Sequence, residues 1–373
     1  MRLLICAGGT GGGVYPALAV LQALGNDAQP VLWVGSQGGM EADLVQRAGI
    51  PFTAVPAAGV HGVGWRALPR NIIQLAQGLL SSRRILQQFK PDLLLFTGGF
   101  VAAPMALAGN RIPSLLYVPD IEPGLALNFI ARFARRIAVT AEDSLKYFPD
   151  KGHSGKVVVT GYPTRTDLGS WTTESARARL GIQAGLPVLL FFGGSKGARS
   201  INLALLAVLP SLLEIAQVIH ITGQLDWPEI QAAQTCLNPL QMSHYHAYPY
   251  LHDEMGAALA SANLAVSRSG ASSLGELPLF GLPAILVPYP HAWRYQKVNA
   301  DYLVRQGAAV MLEDARLKDD LLPTITKLMG NPQTLQAMQQ KMLSLARPQA
   351  ASQIAGLLRQ LAPQTPRMGG NAW

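Results

Sequence analysis

Residues 3–16 read LLICAGGTGGGVYP and join a short apolar run to a glycine-rich turn. The run Leu3–Ala7 carries no charge, as is typical of a strand buried on both faces of a parallel sheet. Glycine dominates residues 8–13, and Pro16 follows where the first turn of a helix is expected. The stretch therefore predicts a strand, a tight turn and a helix, which together begin an α/β domain.

The same pattern recurs at residues 188–199, VLLFFGGSKGAR. Short apolar runs alternate with segments of helical period on both sides of it, which favours parallel sheets with crossover helices. The runs are Leu3–Ala7, Val31–Val34, Phe52–Val55, Leu93–Phe96, Ser114–Tyr117, Ile137–Thr140, Val157–Thr160, Val188–Phe192, Val218–Thr222, Leu264–Ser267 and Ala284–Val287. We predict two Rossmann-like doubly wound α/β domains that meet near residues 161–164, and a frayed tail at residues 363–373. A helix at Ser352–Leu361 fits either domain.

Both glycine loops have the composition of anion-binding turns. Glycine lets the backbone approach a ligand closely, and a helix N-terminus offers unpaired N–H groups to phosphate. Tight turns also favour glycine for purely structural reasons, but one such loop in each half of the chain favours binding. In a third loop, residues 267–276, Glu276 is placed to accept hydrogen bonds from ribose hydroxyls; the alternative is a solvated glutamate on a helix face.

Composition narrows the class of protein. The chain has 373 residues, of which 49% are hydrophobic and 14% charged, so it can bury two cores and does not resemble a disordered chain. A formal charge of +8 favours an anionic partner. The dinucleotide pattern G-x-G-x-x-G, the P-loop, metal-ligand spacings and nucleic-acid-binding motifs are absent from the sequence. The two cysteines, Cys6 and Cys236, fit a reducing cytoplasm.

Taken together, these motifs resemble glycosyltransferase family 28, and within it the MurG family of peptidoglycan N-acetylglucosaminyltransferases. The matching runs cover residues 2 to about 310 in the order of the family. They are GGTGG with VYP at residues 8–16, MEADLV at 40–45, GGF at 98–100, GYPTRTD at 161–167, GGSKGAR at 193–199, RSGA at 268–271, GLPA at 281–284, and Gln296 with Asn299–Ala300.

The resemblance implies a GT-B fold, in which two Rossmann-like domains face each other across a cleft. It implies an acceptor- and membrane-facing domain at residues 1–162, completed by a helix at about 348–362, and a UDP-sugar domain at residues 163–347. The implied reaction is an inverting, metal-independent transfer of N-acetylglucosamine (GlcNAc) from UDP-GlcNAc to the 4-hydroxyl of lipid I, which gives lipid II without a cofactor.

Site residues follow from the resemblance by motif position. Uridine and pyrophosphate would face Arg165, Ser195, Leu251, Ala271, Ser272, Ser273, Leu274 and Gly275. Glu276 would hold the ribose and Gln296 the sugar, over which Thr10, Gly11 and Gly12 would close. The acceptor diphosphate would meet Gly98 and Gly99.

The catalytic base is where this sequence departs from the family. The resemblance implies that most of the family carries histidine where this chain has Gly13, and His-Glu-Gln-Asn where it reads Tyr117-Val118-Pro119-Asp120. We therefore expect another carboxylate, Asp120 or Glu122, to serve as the base. The alternatives are a UDP-sugar transferase with a different acceptor, or a UDP-sugar-binding homologue with weak catalysis.

The segment Trp65–Lys90 predicts contact with a membrane. It interleaves leucine and isoleucine with Arg66, Arg70, Arg83, Arg84 and Lys90, the composition of a helix that lies on anionic lipid. A core-facing helix with a basic outer face is the alternative. The resemblance also implies a peripheral membrane protein, and together with this segment it places the protein on the cytoplasmic side of the cell membrane. No nucleic-acid partner is expected.

Overall fold

The computed structural model describes residues 1–8, 11–39, 41–56, 68–148, 155–194 and 197–363. The predicted site residues Thr10 and Ser195, residues 65–67 of the predicted membrane segment and most of the predicted frayed tail lie outside these ranges. The chain divides into two compact units. One consists of Met1–Pro119, Pro123–Pro163 and the segment from Gln349 onward, and the other of Asp120–Glu122 and Thr164–Pro348.

The first unit contains a seven-stranded sheet in which every strand pair is parallel. Its strands are β1 (Leu3–Cys6), β2 (Val31–Ser36), β3 (Phe52–Val55), β4 (Leu93–Phe96), β5 (Ser114–Val118), β6 (Arg136–Val139) and β7 (Val157–Val159). Its helices are α1 (Gly11–Leu24), α2 (Glu41–Arg47), α3 (Leu68–Phe89), α4 (Ala102–Ala108) and α5 (Leu125–Ile130). The strand order is β3-β2-β1-β4-β5-β6-β7.

The second unit contains a six-stranded parallel sheet of order β10-β9-β8-β11-β12-β13. Its strands are β8 (Val188–Phe192), β9 (Gln217–Ile221), β10 (Tyr245–Tyr248), β11 (Leu264–Ser267), β12 (Ala284–Leu286) and β13 (Ala309–Met311). Its helices are α6 (Thr173–Leu180), α7 (Arg199–Leu213), α8 (Trp227–Gln234), α9 (Pro239–His244), α10 (Met255–Ser261), α11 (Ser273–Leu279), α12 (Trp293–Arg305), α13 (Leu317–Met329) and α14 (Pro332–Ser344).

The fold class predicted from the apolar runs is confirmed: two doubly wound α/β units. The central strands β1, β4, β5, β8 and β11 are buried along their whole length, because helices cover both faces of a parallel sheet. Two strands were not predicted. Both β10 and β13 lie at edges of the second sheet, where only part of each strand is buried.

The last described helix, α15 (Ala350–Leu361), packs against α1 in the first unit. Arg359 ties its end to that unit through hydrogen bonds from Nε to Asp27 Oδ2 (2.7 Å) and from a terminal guanidinium nitrogen to the Ala23 carbonyl (3.1 Å). Within the described ranges, no helix combines the length and the hydropathy needed to span a bilayer.

Candidate functional site

Two glycine loops meet in the first unit where β1 and β4 end. Gly8 follows β1, and Gly98 and Gly99 follow β4, its neighbour in the sheet. Gly99 has a φ of +87°, and a Cβ atom on it would lie 2.6 Å from the Gly8 carbonyl oxygen. The strand order reverses between β1 and β4, and doubly wound sheets bind ligands at that position. The structure thus brings the predicted acceptor residues beside the first glycine loop.

The start of α1 rests on the end of β4. Gly11 and Gly12 are the first residues of this helix. The buried Thr97 hydroxyl donates to the Gly13 carbonyl at 2.6 Å, and a Cβ atom on Gly13 would lie 3.2 Å from the Thr97 carbonyl oxygen. A side chain at position 13 would therefore require a small shift of one of these segments.

Glu41 is a buried carboxylate beside the first glycine loop. Its Oε1 accepts hydrogen bonds from the Ser36 backbone N–H (2.7 Å) and hydroxyl (2.5 Å). A Cβ atom on Gly8 would lie 2.5 Å from the same oxygen, so a side chain at position 8 would require the Glu41 carboxylate to move. Glu41 belongs to the motif MEADLV that the sequence analysis identified, but nothing in that motif predicted that its side chain is fully buried.

The segment Tyr117–Asp120, where the resemblance implied His-Glu-Gln-Asn, is buried over its first three residues. Tyr117 is fully buried, and its hydroxyl lies 2.8 Å from Thr140 Oγ1. Thr140 Oγ1 is also within hydrogen-bond distance of the Val118 and Pro119 carbonyls, at 3.1 and 2.8 Å. Asp120 is the first residue of this segment that groups with the second unit.

In the second unit, β8 and β11 flank the reversal of the strand order, and the second glycine loop follows β8. Gly197 has a φ of +75°, and a Cβ atom there would lie 2.4 Å from the Thr222 carbonyl oxygen. The loop therefore needs glycine to pack against the end of β9, and it leads directly into the N-terminus of α7. This is a position suited to a phosphate group.

Arg268 connects the second glycine loop to the third, a function that the sequence did not indicate. Its guanidinium donates to Asp314 Oδ1 (2.5 Å), Ser200 Oγ (2.8 Å) and the Val287 carbonyl (3.1 Å). It also lies 5.2 Å from the centre of the Tyr289 ring. Because Arg268 is well buried, these bonds hold the start of α7 against the ends of β11 and β12.

The third loop uses most of its N–H groups internally. The N–H groups of Ser273, Leu274 and Gly275 donate to the carbonyls of Gly270, Ala271 and Ser272 at 3.0, 3.1 and 3.0 Å. Within the described chain, no backbone partner is found for the N–H groups of Ala271 and Ser272. Of the five residues predicted in this loop, these two present the N–H donors that remain for an anion.

Glu276 lies in the first turn of α11. Burial raises the pKa of its carboxyl to about 7, although a hydrogen bond from Ser272 and the positive charge of Arg165 both act to lower it. Arg165 donates to the His252 carbonyl at 3.2 Å, next to Leu251. The structure therefore brings together three predicted donor-site residues, Arg165, Leu251 and Glu276.

Gln296 lies on α12 and is tied to the third loop. Its carbonyl oxygen accepts a hydrogen bond from Ser269 Oγ at 2.8 Å, and its side-chain Oε1 accepts one from the Tyr289 N–H at 2.8 Å. Among the described residues, no hydrogen-bond partner is found for its side-chain Nε2. This group can donate to a ligand hydroxyl.

The two predicted carboxylates differ in their surroundings. Asp120 Oδ1 accepts a hydrogen bond from Asn299 Nδ2 at 2.8 Å. Burial raises the pKa of Asp120 above its ordinary value, and the bond from Asn299 opposes that shift. Glu122 instead forms an ion pair with Arg294 of α12. Asp120 is thus the carboxylate that has a neutral donor rather than a cation as its partner.

Comparisons with known proteins agree with this geometry. Residues 3–139 match the glycosyltransferase family 28 N-terminal domain, and residues 188–354 match the C-terminal domain. A UDP-N-acetylglucosamine–N-acetylmuramyl-(pentapeptide) pyrophosphoryl-undecaprenol N-acetylglucosamine transferase of Roseiflexus sp. (strain RS-1) is 40% identical, over 97% of this chain and 95% of that relative. A Listeria monocytogenes protein of the same name is 34% identical, over 95% and 98% of the two chains.

Solved structures give the same result. The crystal structure of Acinetobacter baumannii MurG superposes with a TM-score of 0.75 at 28% identity, and the match covers 96% of this chain and 99% of that one. The glycotransferase of kitacinnamycin superposes with a TM-score of 0.68 at 16% identity, over 97% and 99% of the two chains. The second likeness shows a shared fold alone.

Proposed function

This chain belongs to glycosyltransferase family 28, and on that premise we propose that it transfers N-acetylglucosamine from UDP-GlcNAc to lipid I and so forms lipid II. One arrangement carries the proposal. Arg165 acts electrostatically on the Glu276 carboxyl, and the backbone carbonyl of Gln296 is bonded to Ser269 of the third loop, where the strand order reverses. A cation, a carboxylate and an amide there match a diphosphate, a ribose and a sugar.

The donor would be held by groups of distinct chemistry. The guanidinium of Arg165, the N–H groups of Ala271 and Ser272 and the second glycine loop with Ser195 would face the diphosphate and uridine. Glu276 would accept bonds from ribose hydroxyls, Leu251 would flank the uracil, and Gln296 Nε2 would donate to a sugar hydroxyl. Ser273, Leu274 and Gly275 would shape the loop that presents these groups.

The first unit would supply the acceptor side. Gly98 and Gly99 would receive the diphosphate of lipid I, since their loop lies against the first glycine loop. Thr10, Gly11 and Gly12 would close over the transferred sugar. The proposed division into an acceptor domain at residues 1–162 and a donor domain at 163–347 follows from this assignment.

We propose an inverting transfer with Asp120 as the general base. The acceptor 4-hydroxyl attacks the anomeric carbon from the face opposite UDP, Asp120 takes the hydroxyl proton, and UDP leaves with the bonding electron pair. Arg165 and the loop N–H groups stabilise the charge that develops on the diphosphate, so the reaction would proceed without an added metal. Glu122 is the weaker candidate because Arg294 neutralises it.

The membrane-facing surface would be the exposed stripe of α3. Ile73 and Leu80 are 58% and 56% exposed, and with Arg84 they recur at helical spacing on one face. Arg83 and Arg84 are also exposed, whereas Leu86 and Phe89 on the opposite side are buried. This helix therefore packs on the core with one face and would rest on anionic lipid with the other, on the cytoplasmic side of the membrane.

The test is UDP release by the purified protein from UDP-GlcNAc, with and without a short-chain lipid I analogue, in buffer containing EDTA. Acceptor-dependent release that is lost in Asp120→Asn is the expected result. Because Gly13 and Val118 depart from the residues that the resemblance implies, two other outcomes are also informative. Release that occurs only with another lipid or a small-molecule acceptor would assign a different acceptor, and donor binding without release would indicate a UDP-sugar-binding homologue.

A further inference from the structure

Asn299 is a fully buried amide on α12. Its Oδ1 accepts a hydrogen bond from the Ile121 N–H at 3.0 Å. Its Nδ2 donates to Asp120 Oδ1 at 2.8 Å and to the Ser269 carbonyl at 3.1 Å. One side chain thus joins the short segment Asp120–Glu122 to the third loop.

The orientation of this amide is fixed by its partners. A side-chain amide has two N–H donors and one carbonyl oxygen, and the bonds to Asp120, Ser269 and Ile121 use all of these groups. Rotating the amide by half a turn would place its oxygen against two acceptors and its NH₂ against a donor. Leaving such buried groups unpaired is strongly unfavourable.

Asn299 also sets where Asp120 lies relative to the sugar-binding group. Gln296 and Asn299 are three residues apart on α12, so their side chains share one face of the helix. Ser269 contacts both residues, because its hydroxyl donates to the Gln296 carbonyl at 2.8 Å and its own carbonyl accepts from Asn299. The segment carrying Asp120 is therefore anchored to the residues proposed to hold the transferred sugar.

We propose that Asn299 is a positioning residue for the reaction: it holds Asp120 Oδ1 so that Oδ2 is the oxygen presented to the acceptor hydroxyl. This inference rests on the proposed function, in which Asp120 is the base. The bond from Asn299 supplies orientation without a positive charge, whereas a cation in its place would stabilise the carboxylate strongly and weaken it as a base.

Charged side chains adjacent in sequence to Asp120 and Asn299 have ion-pair partners of their own. Glu122 on its own segment is paired with Arg294 of α12, and Lys297 of α12 is paired with Asp301 at 2.7 Å. No ion pair to Asp120 is found among the residues that the structure describes. Its ionisation is therefore governed by burial and by the Asn299 hydrogen bond.

Asn299→Asp tests the proposal. The new side chain has almost the same size and keeps an acceptor for the Ile121 N–H, but it replaces the donor to Asp120 by a second carboxylate. Like charge at this distance raises the pKa of the base. We expect the acidic limb of the pH profile of kcat to move to higher pH by about one unit or more, so that activity near the wild-type limb falls at least about tenfold and recovers at higher pH.

Asn299→Ser is a second test variant, used if Asn299→Asp folds poorly as judged by its melting temperature. The shorter side chain loses the directed N–H donor without adding charge, so the limb should move in the same direction by a smaller amount. Asp301→Asn is the control, since it removes a carboxylate from the same helix and should leave the limb in place. A loss of kcat that is equal at every pH in the Asn299 variants would show a purely structural amide and overturn the proposal.

The result also separates this inference from the proposed base. If Asp120→Asn keeps wild-type activity, Asp120 is not the base and both proposals fail. If Asp120→Asn is inactive while Asn299→Asp and Asn299→Ser keep the wild-type pH profile, the base stands and the positioning role of Asn299 is rejected.

Discussion

Gly99 packs against Gly8 so closely that a Cβ atom on Gly99 would come within 2.6 Å of the Gly8 carbonyl oxygen. The two residues follow β1 and β4, which are adjacent in the sheet. This contact sets the spacing of the two loops proposed to bind the sugar and the acceptor diphosphate.

The first prediction concerns that contact. Gly99→Ala introduces both a clash with Gly8 and a side chain at a φ of +87°, so we expect it to lower the free energy of unfolding by at least about 2 kcal/mol. Gly38→Ala is the matched control, because Gly38 has a φ of +70° and no atom within 4 Å of its Cβ position; its cost should be about 1 kcal/mol. Chemical denaturation of both variants measures the difference, and equal losses would show that the contact contributes nothing.

A second prediction concerns the ribose carboxylate. Glu276→Ala removes a charged acceptor worth about 1.5 to 3 kcal/mol, so calorimetry should find UDP bound roughly tenfold to a hundredfold more weakly. Glu174→Ala removes an exposed carboxylate from α6 in the same unit and should leave the affinity unchanged. An unaltered affinity in Glu276→Ala would remove the ribose role.

The pH dependence of donor binding gives a third prediction. Because burial raises the pKa of Glu276 to about 7, this carboxyl is partly protonated near neutrality in the absence of donor. Only the carboxylate accepts bonds from both ribose hydroxyls, so the affinity for UDP-GlcNAc, whose diphosphate is esterified at both ends and keeps its charge in this range, should rise between pH 6 and pH 8. Glu276→Gln should bind more weakly and show a flat profile; a slope that persists in this variant would assign the effect to another group.

Stability should change with pH in the opposite sense. A carboxyl whose folded pKa lies above its unfolded value of about 4.5 stabilises the fold at low pH, and this contribution is lost as the pH rises through about 7. The stability of Glu276→Gln relative to the wild type should therefore increase from pH 5 to pH 8. Melting temperatures across that range measure the trend, and a constant difference would mean that the folded pKa is not raised.

The fifth prediction concerns the basic stripe of α3. Each basic residue at an anionic surface contributes about 1 kcal/mol, so replacing Arg83 and Arg84 with Glu should weaken sedimentation with phosphatidylglycerol vesicles at least about tenfold. Replacing Lys318 and Lys327 of α13 with Glu makes the same change in net charge at other exposed positions. If both double variants lose binding equally, net charge rather than this helix governs the interaction.

Local sequence indicated much of the proposed donor site because the groups of that site follow strands. Glycine after an apolar run requires a turn, and a carboxylate early in the next helix lies near that turn, so Glu276 and the second glycine loop could be named in advance. Arg268 could not be assigned a role in this way. Its partners Ser200 and Asp314 lie 68 and 46 residues away in the chain. Hydrophobic periodicity predicts local secondary structure and does not predict contacts at such separations.

The segment that carries the proposed base shows the same limit more clearly. The sequence identified Asp120 and Glu122 as the carboxylates nearest to the altered motif, but it treated them as equivalent. Their difference depends on α12, where Asn299 lies 179 residues from Asp120 and Arg294 pairs with Glu122.

The order of apolar runs, glycine turns and helical segments was sufficient for the fold class, because each strand of a parallel sheet must bury both faces and each turn must satisfy its own backbone. Tertiary structure alone decided the edge strands β10 and β13, the burial of Glu41 and the partners of Asp120 and Arg268. Those features depend on the packing of side chains from distant parts of the chain, which bury charges and pair donors with acceptors in ways that local sequence does not encode.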